Sequence, residues 1–312
     1  MAQKSIGINT GKNSAFRYVW TNRYLYLLLA PCVVYFIIFN YVPMYGLILA
    51  FKDFKFAKGI IGSAWVGFDN FKYLFGLDRF YEVLKNSLFL SVLRLVLYFP
   101  VPIILALALN EIPFIFYKRV TQTFIYLPYF ISWAVIGGIL INILSPSWGV
   151  VNMVIKSLGG DPVFFMGDAR YFRGIVVISN IWKNAGWDTI LYLAAIVSID
   201  PELYQAATID GASRLQRIWH ITLTGIRTTI IILLLLNIGN IMNNGFEQIY
   251  MLQNGSNITI SEVFETYTYR LGLINGRFSF ATTVGLFGSV VGFTLLMIAN
   301  GIARLMGEKG IF

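Results

Sequence analysis

The sequence holds one cysteine and one histidine. Cys32 alone excludes an intrachain disulfide framework and any cysteine pair for metal or redox work. His220 alone excludes zinc-protease patterns and histidine-based triads assembled within the chain. No G-x-x-x-x-G-K-[ST] stretch occurs, so the phosphate loop of an ATPase is missing as well. These gaps leave no catalytic and no metal-ligating constellation to assign. Charge is also scarce: 12% of residues are Asp, Glu, Lys or Arg, against 57% hydrophobic, with a mean hydropathy of +0.69. A soluble domain needs more charge to cover its surface, so the composition is that of a membrane protein in contact with lipid. The net charge of +9 comes from basic residues scattered among apolar runs, and without a basic stripe or motif it predicts no nucleic-acid partner.

What the chain does have is six apolar stretches, at 24–48, 88–109, 120–143, 174–198, 228–250 and 281–304. Each is near the roughly 20 residues that span a bilayer as a helix. The expected architecture is all-α and integral to the membrane, with one six-helix domain over 24–304 and tails at 1–23 and 305–312. The first tail carries Lys4, Lys12, Arg17 and Arg23 and no acidic residue, which places it in the cytoplasm by the positive-inside rule. A cleavable signal peptide is the rival, but the apolar run that follows lacks a clear small-residue cleavage site. An even number of spans returns Arg304 and Lys309 to the same side. Loop 51–87 would then lie outside although it carries six Lys or Arg against four Asp or Glu. Orientation therefore rests on the tail and on the polar segment described next.

Between the fourth and fifth stretches lies a polar island, DPELYQAATIDGASRLQRIWHITLT, residues 200–224. Asp200 has the chemistry of an N-cap, Pro201 fits the first helical position, and Glu202 follows where the helix dipole favours an anion. Leu203, Ala206 and Ala207 form a narrow face that would admit another backbone closely. Asp210-Gly211 signals a turn. Ser213 and Gln216 have capping-box spacing, and Leu215, Ile218, Trp219 and Thr222 line one side of a second helix. An ordinary amphipathic surface loop would share this pattern.

The residues themselves carry more. YQAATIDGASRLQRIWHITL resembles the cytoplasmic EAA signature of permease subunits in bacterial ABC importers: Glu-Ala-Ala, three residues, Gly, and further on Ile-x-Leu-Pro. Here it reads Gln205-Ala206-Ala207, Gly211 and Ile221-Thr222-Leu223, with Gln205 replacing the usual Glu and Thr224 the usual Pro. WVGFDNFKYLF, at 65–75, resembles a segment after the first helix of carbohydrate-type permeases, and Gly245-Phe246-Glu247 with SEVFETYTYRLGLINGRFSFATTVGLF extends the likeness to the maltose-permease-like group. The resemblance implies a type I ABC importer permease fold in a bacterial cell membrane. It implies a coupling helix formed by Glu202, Gln205, Ala206, Ala207, Asp210 and Gly211. The implied partners are a second homologous permease, a cytoplasmic ATPase dimer that would hold ATP and Mg, and an extracellular solute-binding protein. This chain would carry no cofactor of its own.

Polar residues within the spans point to a solute path, because lipid cannot satisfy them. The fourth stretch holds Trp182, Lys183, Asn184, Trp187 and Asp188. Asn184 and Asp188 share a helical face, with Lys183 and Trp187 on the neighbouring one. Either Lys183 and Asp188 neutralise each other or helix ends, or the group walls a hydrated passage suited to a polyol. In the fifth stretch Asn237, Asn240, Asn244, Glu247 and Gln248 fall within roughly a third of one helix circumference. That stripe either joins helices, at about 1 kcal/mol per Asn, or lines the solute cavity. Arg94 is read as a structural residue near a helix end, free to snorkel. The expected function is translocation of a carbohydrate, most suitably an oligosaccharide. The alternatives are an ABC permease for another solute and a channel or secondary transporter without ATPase.

Overall fold

The computed structural model describes residues 18–307 and 310. The tail residues 1–17 and Lys309, on which the orientation argument draws, lie outside the described residues. Three helical runs are long and apolar enough to cross a membrane, and two bent pairs pass the same test together. Those runs are α1 (Arg23–Phe51), α2 (Asp78–Asn110) and α10 (Phe278–Leu305). The bent pairs are α3 (Ile115–Phe130) with α4 (Trp133–Ile143), at 92°, and α7 (Arg214–Gly225) with α8 (Arg227–Gly239), at 60°. α5 (Ala169–Val197) has 29 residues, length enough for a sixth span, and is less apolar than the others because of the polar residues at its middle. Between α5 and α7 lies the short α6 (Pro201–Ile209), and after α8 comes α9 (Phe246–Leu252).

Three expected spans are corrected. The second starts at Asp78 rather than at 88, because an amphipathic end that reads as loop is helical. The third is not straight: Pro128 lies in a tight 3-10 turn, and Ser132 opens a new helix by accepting from the Val135 N–H. The fifth is not continuous to 250. α8 stops at Gly239, and the chain turns through Gly245 at a φ of +77° before α9 begins. At that stop the Gly239 carbonyl lies against α10 so closely that a Cβ on Gly292 would meet it at 2.9 Å.

Three apolar clusters hold these elements together. Near the N-terminal end of α2, Phe80 and Val83 pack on Phe264, Tyr267, Phe280 and Val284. Leu90, Phe172, Val176, Ile249 and Leu252 form the second. Ala106, Tyr192, Ile196 and Ile226 form the third, toward the other end of α2 and α5. Along α2 the clusters take residues 80–90 and then 106; along α5 they take 172–176 and then 192–196. The gap between them, at mid-length of both helices, is where the polar residues collect. By contrast, α1 buries none of its most apolar stretch against the rest of the chain. A short antiparallel pair, β1 (Lys52–Asp53) and β2 (Ala64–Trp65), follows it in the loop before α2.

Candidate solute passage and coupling surface

A row of polar side chains on α2 bonds the chain at the α8–α9 break and in the segments that follow it. Asn86 donates to the Thr259 carbonyl at 2.8 Å, and Ser87 accepts from the Phe264 N–H at 3.0 Å. Ser91 donates to the Ile241 carbonyl and lies 3.2 Å from the Asn244 amide oxygen. Arg94 donates to the Gln248 amide oxygen at 2.6 Å, and Gln248 donates in turn to the Val176 carbonyl and the Ser179 hydroxyl. Arg94 therefore does not snorkel. With α2 beginning at Asp78 it sits sixteen residues in, at mid-depth.

Between these elements is a cavity of about 440 Å³. Arg94 and Tyr98 of α2, Tyr129 of α3, Asn180, Asn184, Trp187 and Asp188 of α5, and Asn237 and Asn240 with Asn243 of the break line it. Tyr98 donates its hydroxyl to the Asp188 carboxylate. Trp187 stacks on Tyr129 with centroids 4.5 Å apart and planes 5° from parallel. Asn237 and Asn240 donate back to the carbonyls of Leu233 and Leu236, which fixes their amides toward the cavity. Amide, hydroxyl and carboxylate groups in one chamber beside aromatic faces can exchange hydrogen bonds with a polyhydroxylated solute and stack on its rings.

Of the expected passage residues, Asn184, Trp187, Asp188, Asn237 and Asn240 meet here. Trp182 does not: two residues from Asn184, it points the opposite way into an apolar groove with Ile136, Ile139 and Ile178. Asn244 is fully buried behind the cavity wall, bonded to Ser91. Glu247 is exposed on α9, close enough to Lys183 for their charges to interact. Lys183 and Asp188 do not pair with each other. The Lys183 ammonium donates to the Tyr129 and Ile131 carbonyls, both at 2.6 Å, and so caps the end of α3 at the 92° bend. Nearby, a Cβ on Gly186 would meet the Ile125 carbonyl at 2.1 Å, so only glycine lets α5 lie this close to α3. Arg94, Tyr98, Tyr129, Asn180 and Asn243 were missed from sequence. Ser87, Ser91, Arg94 and Tyr98 share a helical spacing that marks one polar face, and Asn180 lies one turn before Asn184.

At residues 200–224 the local expectations hold. The Asp200 side chain accepts from the Glu202 N–H at 2.9 Å, and Pro201 opens α6. Gly211 takes a φ of +77° in the turn, where the Ala212 N–H reaches the Ala207 carbonyl at 2.9 Å. Ser213 and Gln216 form the capping box. Arg217 donates to Thr208, and Tyr204 bonds Thr222 at 3.0 Å, tying α6 back onto α7. Glu202, Gln205, Ala206, Asp210 and Gly211 are exposed and Ala207 half-buried. The expected apolar side of the second helix is only partly packed within this chain: Thr222 is buried and Ile218 half-buried, while Leu215 and Trp219 stand exposed with Leu203 and Ile209. His220 is an exposed surface residue.

Residues 98–308 match the model of a family described as the binding-protein-dependent transport system inner membrane component. The chain belongs to that family. Protein LplB of Bacillus subtilis (strain 168) is 47% identical over 93% of this chain and 92% of its own length. The polygalacturonan/rhamnogalacturonan transport system permease protein YteP of the same organism is 45% identical over 93% and 90%. A solved bacterial alginate ABC transporter, in complex with an alginate pentasaccharide-bound periplasmic protein, contains a chain that superposes with a TM-score of 0.86. The two are 42% identical, and the match covers 95% of this chain and 99% of that one. As a member of the family, this chain is a multi-pass membrane permease of the ABC importer type and a transport subunit, not an enzyme. Its six helical passages, bent pairs included, are the type I permease fold.

Proposed function

We propose that this chain forms one side of the path by which an ABC importer takes up an oligosaccharide delivered by an extracellular solute-binding protein. The observation that carries the reading is the mid-depth cavity, in which five asparagines and the Tyr98–Asp188 pair surround the Tyr129–Trp187 stack. Amides offer donors and acceptors together, which matches hydroxyl groups better than a metal ion. The relatives named for polygalacturonan/rhamnogalacturonan and alginate support the same class. In this reading a second, homologous permease closes the cavity from the other side, and an ATPase dimer holding ATP and Mg docks on α6. The exposed Leu203, Ile209, Leu215 and Trp219 around Gly211 are the surface it would cover. This chain itself holds no cofactor. Both termini lie in the cytoplasm, and residues 24–304 act as one transmembrane domain.

The test is reconstitution of the full importer in liposomes with labelled neutral and uronic-acid oligosaccharides. Saccharide accumulation that needs ATP, and that falls in Asn184→Ala and Asn240→Ala at unchanged assembly, is the expected result. Selective uptake of a polyamine or a phosphate ester would overturn the sugar reading. Uptake without the ATPase would make the chain part of a channel or secondary transporter.

A further inference from the structure

Beyond the α8–α9 break from the first cavity lies a second, of about 570 Å³. The two share Asn240 and Asn243, so the unwound segment is a common wall with amides available to both sides. The second chamber has its own aromatic surface. Phe246 stacks on Tyr250 at 5.2 Å and 19°, and Tyr269 lies 5.0 Å from Phe246 and 5.2 Å from Tyr250. It also has a fixed acceptor: the Glu265 carboxylate is held in place by the Asn244 N–H at 2.9 Å. Ser289 of α10 edges the chamber with an exposed hydroxyl that donates to the Gly285 carbonyl at 3.0 Å. A Cβ on Gly285 would meet nothing within 4 Å. Glu265, Asn240 and Asn243 are each held by a bond within the chain, and their oxygens keep lone pairs free to accept from a hydroxyl-bearing occupant.

We propose that this second chamber is a saccharide subsite that takes the next sugar unit of a chain whose first unit occupies the Tyr129–Trp187 cavity. The ring would stack on Phe246 and Tyr269, with Glu265, Asn243 and Ser289 taking its hydroxyls. The proposal rests on the carbohydrate reading and adds a consequence: the importer selects by chain length, because a short sugar fills the first cavity alone. Asn240 and Asn243 contact both units and set the spacing between them.

Two variants test it by different routes in the reconstituted importer. Phe246→Leu with Tyr269→Leu removes the stacking surface at conserved apolar character, and Gly285→Leu fills the chamber. Both are expected to lower kcat/KM for a tetra- or pentasaccharide about tenfold, the scale of one lost aromatic contact plus its buried area, while monosaccharide uptake is unchanged. Asn184→Ala in the first cavity is expected to lower both. If the second-chamber variants leave uptake of every length unchanged while Asn184→Ala lowers it, the subsite is overturned and the carbohydrate reading stands. If they prevent assembly with the second permease, or lower all lengths equally, the face is a subunit contact and the subsite is overturned. If the unaltered importer carries no saccharide, the carbohydrate reading fails and the subsite with it.

Discussion

Replacing Lys183 with Met removes a cation from α5 without removing its bulk. The structure says what is lost. Two carbonyls at the 92° bend, Tyr129 and Ile131, each give up a charged donor at 2.6 Å in a site where Lys183 is only 7% exposed. Charge-assisted hydrogen bonds are worth about 1.5–3 kcal/mol each, and a buried acceptor left unpaired costs a similar amount. Part of this is offset, since a methionine carries no charge to desolvate. The net expectation is a loss of about 2–4 kcal/mol. Thermal unfolding of the purified importer in nanodiscs, at one scan rate, should show a lowered midpoint. The bend also fixes Tyr129 against Trp187, so KM for the saccharide should rise several-fold while the amount of protein in the membrane is unchanged. Lys183→Arg, which keeps a charged donor, should recover part of both. An unchanged midpoint together with an unchanged KM would mean that α3 bends without the lysine, and the reasoning would be refuted.

The remaining expectations concern other parts of the fold. Gly211→Val forces a β-branched residue to a φ of +77°, at a cost of about 1–3 kcal/mol. It should leave the protein in the membrane but abolish uptake and substrate-stimulated ATP hydrolysis; near-normal uptake at normal expression would show that the loop does not couple. Gln205→Glu should be tolerated within about twofold, because the exposed amide already offers an acceptor. Glu262 is 1% exposed and bridges Arg79, at 2.6 Å, and Arg270. Its removal in Glu262→Ala should cost about 3–5 kcal/mol in thermal unfolding, with Glu262→Gln milder. In a Cys32→Ser background, cysteines at 237 and 240 should react with a water-soluble maleimide, whereas cysteines at Leu235 and Asn244 should not; the reverse pattern would move the cavity elsewhere.

Much of this was legible in the residues. Six apolar runs, the Asp200 and Ser213 caps and the glycine turn at 211 are local signals, and local signals survive folding. The break in the fifth span was not legible, because the spacing of Asn237, Asn240, Asn244 and Glu247 continues a helical period through a segment that is not a helix. Only Asn243-Asn244-Gly245 hinted at it. Arg94 was misplaced for a related reason. Its depth depends on where α2 begins, and Asp78 to Ser87 looks too polar for a span until the apolar clusters at that end of the helix and Glu262 cover it. Trp182 and Trp187 carry the same chemistry on one helix, and only the packing of α3 against Gly186 decides which of them faces the cavity.

The polarity of α5 bears on how the protein is made. A segment carrying Asn180, Lys183, Asn184 and Asp188 partitions poorly into lipid by itself, since each such side chain is costly at the centre of a bilayer. Yet the hydrogen-bond partners of these charged groups come earlier in the chain: Tyr98 for Asp188, and the carbonyls of Tyr129 and Ile131 for Lys183. As α5 leaves the ribosome, α2 and α3 have already been synthesised and can receive it. Biogenesis would then run in chain order: α2, α3 and α4 enter on their own hydrophobicity, and α5 is admitted into the polar seam they have prepared.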